Sequence, residues 1–105
     1  MQSMTVQELY QLRAEGAEHQ LLDVREPHEY AFCNLGGELI PLATVTQEAA
    51  RIRRDVPVVV MCRSGKRSAT AIAQLETALG LTNLINLEGG ILQWADEVDA
   101  SVPKY

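Results

Sequence analysis

The stretch VVVMCRSGKRSAT, residues 58–70, decides the fold. With Val56 and Pro57 ahead of it, the segment 56–61 is an uninterrupted apolar run rich in β-branched residues. Such a run predicts a strand covered on both faces, as in parallel sheets. Cys62 closes the run. Arg63, Ser64, Gly65, Lys66 and Arg67 then make a short small-and-cationic loop, and a helix is expected over 68–79. Its apolar stripe would be Ala69, Ile72, Leu75 and Leu79, with Gly80 as the stop. A buried strand turning through a short loop into an amphipathic helix is the half-unit from which parallel α/β sheets are built.

The rest of the chain repeats that alternation. Thr5 and Glu8 fit a capping box ahead of Leu9 and Leu12, so a helix is predicted up to Gly16. The run at 20–24 reads as a buried strand, and Pro27 suits the first turn of a short helix. Residues 33–37 read as a loop and 38–42 as a short strand stopped by Pro41. A helix capped by Thr46 is expected through Arg54, another strand at 83–87, and a last helix over 91–98 after Gly89 and Gly90. Alternating strands and helices with short connections imply an open, mainly parallel α/β sheet with helices on both faces.

At 105 residues the chain is expected to form one domain, 1–105. A net charge of −5 argues against a nucleic-acid partner, because phosphate backbones demand the opposite sign. Two cysteines far apart do not make a disulfide framework, and no secretory segment or membrane-length apolar run is evident. A cytoplasmic, reduced protein with no membrane association is therefore expected.

In open α/β sheets, ligands bind beyond the carboxyl ends of the strands, where Cys62 is placed. Gly65 permits a tight curl, whose successive N–H groups can form an anion-binding nest. The positive end of the following helix adds to the same field. Donors, dipole and cations together stabilise a thiolate, so Cys62 is the candidate nucleophile. An inert core cysteine beside a solvated loop is the plainer reading of a lone thiol. The glycine, the three cations and the helix start favour the reactive one.

The segment CRSGKRS at 62–68, after its apolar strand, resembles the active-site loop of rhodanese-like sulfurtransferases. LLDVREPHEY at 21–30 resembles that family's first signature, and NLEGGILQW at 86–94 its closing segment. The resemblance implies a doubly wound, mainly parallel five-stranded sheet. It also implies sulfur transfer in two steps, with Cys62 carrying a persulfide. The donor would be a small anion such as thiosulfate, or a persulfide protein such as a cysteine desulfurase. The acceptor would be cyanide, a thiol or a sulfur-carrier protein.

By the same resemblance, the N–H groups of Arg63, Ser64, Gly65, Lys66, Arg67 and Ser68 would cradle the persulfide, with Arg63 and Lys66 facing the donor. Asp23 and Arg25 are supporting candidates: Asp23 is expected to pair with Arg67, and Arg25 with Glu29. No cofactor or metal is implied; His19 and His28 stand alone. Cys33 reads as a partly buried filler, Trp94 as core, and Arg51, Arg53 and Arg54 as a solvated helix face.

The family's usual Gly-His-Ile is replaced by Cys33-Asn34-Leu35. The stretch NLGGELIPL and the ending GGILQWADEVD…PKY resemble the rhodanese domain fused to adenylyltransferases that load sulfur carriers for molybdopterin, thiamine or tRNA thiolation. Two alternatives remain. Phosphatases and arsenate reductases of this fold also place a cysteine before a cationic loop, but need an arginine six positions on; here Ser68 stands there and Arg67 comes one earlier. Inert rhodanese-like interaction modules usually lack the loop cysteine, which this chain keeps.

Overall fold

The apolar run of the quoted stretch forms β4 (Val58–Met61), in which every residue is buried. In the computed structural model, which describes residues 1–105, β4 is the middle strand of a five-stranded sheet. Its partners are β5 (Leu84–Leu87) on one side and β2 (Gln20–Asp23) on the other. Outside them lie β1 (Gln2–Met4), against β5, and β3 (Glu38–Leu39), against β2. The order is β1-β5-β4-β2-β3 and every pairing is parallel, so the sheet is the doubly wound one expected.

The strand period of two sorts the core into two layers. Val58, Val60 and Cys62 pack with Ile72 and Leu75 of α3 (Lys66–Leu79). Val59 and Met61 point the other way, into a cluster with Val6 and Leu9 of α1 (Val6–Glu15) and with Ile91 and Trp94 of α4 (Gly90–Glu97). A short α2 (Pro27–Phe32) follows β2, with Pro27 at its start. The capping box at Thr5 and Glu8 forms in both directions, at 3.1 and 2.9 Å. Gly16 and Gly80 end their helices in the left-handed conformation.

Three expectations are corrected. β1 was not foreseen: it is short, polar and at the sheet edge, and only its pairing with β5 makes it a strand. The helix expected over 46–54 is absent; two 3₁₀ turns, Leu42–Thr44 and Ala49–Arg51, stand in that region. There the Gln20 side chain donates to Arg51 O at 2.8 Å and accepts from Arg53 N at 2.8 Å. It takes the backbone groups a continuing helix would have used. Arg51 and Arg53 are exposed but pair with Glu38, Glu48, Glu18 and Asp55. Finally, α3 begins at Lys66 rather than Ser68, because Gly65 at φ 99° is its N-cap, and its buried face is Ser68, Ala71, Ile72 and Leu75.

Ile72 is fully buried between α3 and the sheet. Ile72→Ala is expected to cost about 2–5 kcal/mol, as deletion of a buried aliphatic chain leaves a cavity. Urea unfolding should show a lower midpoint with an unchanged slope.

Candidate functional site

Cys62 follows directly on β4 and continues its alternation toward α3, so its side chain enters the sheet–helix layer and is only 1% exposed. The loop above it is open: Arg63, Ser64 and Lys66 are exposed. The Gly65 N–H donates to Cys62 Sγ at 3.0 Å. The backbone N–H groups of Arg63, Ser64, Lys66, Arg67 and Ser68 have no acceptor within the protein. For the last three this follows from their place in the first helical turn. One amide therefore holds the resting sulfur, and the other five amides of the loop have no acceptor of their own.

The curl is fixed from two sides. Ser68 Oγ donates to Asn86 Oδ1 at 2.5 Å, and Asn86 Nδ2 donates to Gly65 O at 3.3 Å, tying the loop to β5. Ser68 Oγ also lies 3.5 Å from Cys62 Sγ. From the other side, Ile91 N–H donates to Cys62 O at 3.0 Å and Leu92 N–H to Arg63 O at 3.2 Å. These contacts bring the start of α4 against the loop backbone. A Cβ on Gly90 would sit 2.4 Å from Cys62 O and 2.5 Å from Arg63 O, so only glycine admits the approach.

The charges do not pair as expected. Asp23 binds Arg25, not Arg67: Arg25 Nη2 donates to Asp23 Oδ2 at 2.8 Å and Nε to Oδ1 at 3.0 Å. Arg25 is fully buried and also donates to Cys33 O and to the Tyr105 hydroxyl. Burial alone would lower its pKa; the hydrogen bonds to Asp23 and Tyr105 more than offset this and raise it. Glu29 in turn binds Arg67, through Nη1–Oε1 at 2.6 Å and Nη2–Oε2 at 2.8 Å. Glu29 also accepts from Glu26 N and Tyr105 Oη. The expected Arg25–Glu29 pair is thus replaced by two others.

Arg67 is therefore a brace, its charge met by Glu29, whereas Arg63 and Lys66 have no carboxylate partner. Arg63 instead lies over the Tyr105 ring, 4.9 Å from its centroid. The surface depressions of the protein are lined by other residues, the largest along α1 by Met4, Thr5 and Tyr10 among others.

Sequence reasoning passed over Asn86, Tyr105 and the close approach at Gly90. Asn86 had a signal, a polar residue inside an apolar strand, which must find a partner when packed. Tyr105 had none. Cys33 is half-buried, its sulfur 3.7 Å from Pro103 O, and Trp94 is core, as expected.

Two outcomes follow from this geometry. Gly90→Ala should destabilise the protein by at least about 2 kcal/mol more than Gly80→Ala. Both sites have positive φ, a cost of about 1 kcal/mol, but nothing lies within 4 Å of a Cβ at Gly80. Paired urea titrations would show the difference. The Arg67 pair, foremost, holds the Glu29 carboxyl well below the usual carboxylate range. A depressed folded-state pKa adds stability above the unfolded value of about 4.3 that is lost as pH falls toward the folded one. Glu29→Gln should therefore cost most near pH 7, and its deficit should shrink as unfolding is measured from about pH 5 downward.

A family model described as a rhodanese-like domain matches residues 5–97. Over 104 residues the chain is 35% identical to "Adenylyltransferase and sulfurtransferase MOCS3" of Drosophila virilis, a match covering 91% of this chain and 23% of that protein. It is 38% identical over 101 residues to the protein YqhL of Bacillus subtilis, covering 95% and 77%. The crystal structure of a rhodanese-related protein from Thermoplasma volcanium superposes with a TM-score of 0.81 at 33% identity, covering 93% and 94%. The chain thus spans under a quarter of the MOCS3 relative, whose name includes a sulfurtransferase activity. The sheet order, the loop after β4 and these matches agree: the chain belongs to the rhodanese-like domain family.

Proposed function

We propose that residues 1–105 act as one sulfurtransferase unit in which Cys62 is the sulfur-carrying nucleophile. The Cys62 thiolate attacks the outer sulfur of an anionic donor such as thiosulfate. A bond forms between Sγ and that sulfur, the donor's S–S bond breaks, and sulfite leaves with the electron pair. A nucleophilic acceptor then attacks the outer sulfur of the persulfide; cyanide would leave as thiocyanate, and Cys62 returns to its thiolate. Splitting the transfer in two suits a site with one activated thiol.

The observation that carries this reading is the loop itself. Gly65 N–H already donates to Sγ at 3.0 Å, and the neighbouring amides of Arg63, Ser64, Lys66, Arg67 and Ser68 have no acceptor in the protein. A second, negatively charged sulfur bonded to Sγ would supply one, and preorganised N–H donors stabilise charge that develops beside them. Arg63 and Lys66, free of carboxylates, would draw the donor. Arg67, Ser68, Asp23 and Arg25 would hold the loop in shape. The sulfur is buried, so the exposed side chains of Arg63 and Ser64 would turn aside as the donor enters while the loop backbone stays clasped by α4.

The exposure of Arg63, Ser64 and Lys66 also suits a donor or acceptor that is itself a protein surface, such as a cysteine desulfurase or a sulfur carrier. The resemblance of NLGGELIPL and the closing segment to rhodanese domains that load sulfur carriers, together with the identity to adenylyltransferase and sulfurtransferase relatives, favours the carrier. Both cysteines are free, which suits a reducing compartment such as the cytoplasm.

Incubation with thiosulfate followed by intact-mass measurement tests the proposal. One sulfur atom should be gained and then lost to cyanide or dithiothreitol. Cys62→Ser should gain none, and Cys33→Ser should still gain one. Sulfur retained by Cys62→Ser would move the site elsewhere.

A further inference from the structure

Tyr105 is 42 positions from Arg63 and lies outside the segment matched by the family model, yet it touches the cationic side of the loop by two routes. Its ring lies under the Arg63 guanidinium, 4.9 Å from centroid to Cζ, and no carboxylate competes for that cation. Its hydroxyl donates to Glu29 Oε2 at 2.7 Å and accepts from Arg25 Nη1 at 2.9 Å. Glu29 is the carboxylate that grips Arg67. The ring is itself set by Phe32, edge to face at 5.8 Å.

We propose that Tyr105 is a positioning residue that presents Arg63 to the incoming anion, its ring serving as the platform and its hydroxyl locking that ring to the Arg25–Glu29–Arg67 network. The proposal deepens the sulfur-transfer reading and rests on the same site.

The physical case is one of entropy and charge. Arg63 is exposed, and a long cationic side chain in solvent spreads over many rotamers. A ring face attracts a guanidinium without neutralising it, unlike a carboxylate. Tyr105 therefore restrains Arg63 and leaves its full charge available, whereas Arg67, held by Glu29, has its charge spent internally. The arrangement would favour anionic partners of Cys62 over neutral ones of the same size and reactivity.

Alkylation of Cys62 reads this selectivity without requiring sulfur transfer, so its outcome is separate from that of the thiosulfate experiment. In Cys33→Ser protein, rates with iodoacetate, an anion, and iodoacetamide, its neutral counterpart, are measured at low salt. The same thiolate attacks the CH2 carbon of each and displaces iodide, so the ratio of their rates reports the local field. Tyr105→Leu, which releases Arg63 without removing its charge, should lower the iodoacetate-to-iodoacetamide ratio by a measurable part of the about fivefold that losing one nearby charge altogether would cause in a water-like medium. Most of that difference should vanish near 1 M salt. Tyr105→Phe keeps the ring but frees it from Glu29 and Arg25, so it should lower the ratio by less than the leucine variant does; if the leucine variant does not fold, Tyr105→Met replaces it.

In an Arg63→Gln background, removal of the ring should lower the ratio no further, since the two residues act as one. An unchanged ratio in Tyr105→Leu, an equal fall in both reagents' rates, or a full further fall in the Arg63→Gln background would each overturn the proposal.

Discussion

Two hydrogen bonds between backbones hold the loop of this protein in place. The amides of Ile91 and Leu92, at the start of α4, donate to the carbonyls of Cys62 and Arg63, at the end of β4. The contact is possible because position 90 carries no Cβ; one would overlap both carbonyls. With those two carbonyls taken by α4, the loop curls so that Gly65 N–H meets the sulfur. Elements on both faces of the sheet thus share the work. α3 starts from the loop, and α4 clasps it from the layer of Val59 and Met61.

Around that clasp, charge is used in two ways. Asp23, Arg25, Glu29 and Arg67 form interlocked pairs in which the buried groups find partners, and no buried polar side-chain atom is left without one. Such networks give geometry more than net stability, because desolvation offsets much of the attraction. Arg63 and Lys66 stand outside the network, without a carboxylate. In a chain of net charge −5, two unmatched cations beside a thiol form a local field that the rest of the surface does not share.

Much of the layout was legible because it is local. The capping box at Thr5, the Pro27 start, the glycine stops and the uniformly apolar β4 each depend on neighbours within a few residues, where propensity and period decide. The misreadings lie where a distant group intervened. Gln20 captured the backbone at Arg51 and Arg53 and replaced a helix with a 3₁₀ turn. β5 made a strand of residues 2–4, whose own sequence does not ask for one.

For the site, the sequence by itself determined the order strand, cysteine, small cationic loop, helix, because each part has a local cause: apolarity, a glycine, a run of charge. Which carboxylate meets which guanidinium was decided by the tertiary structure. Arg67 and Glu29 are 38 positions apart, and Arg25 and Tyr105 are 80. Spacing along the chain carries no information on such pairs; Arg25, Glu29 and Arg67 meet because the segments after the parallel strands β2 and β4 leave the same edge of the sheet, and Tyr105 reaches them from the segment after α4.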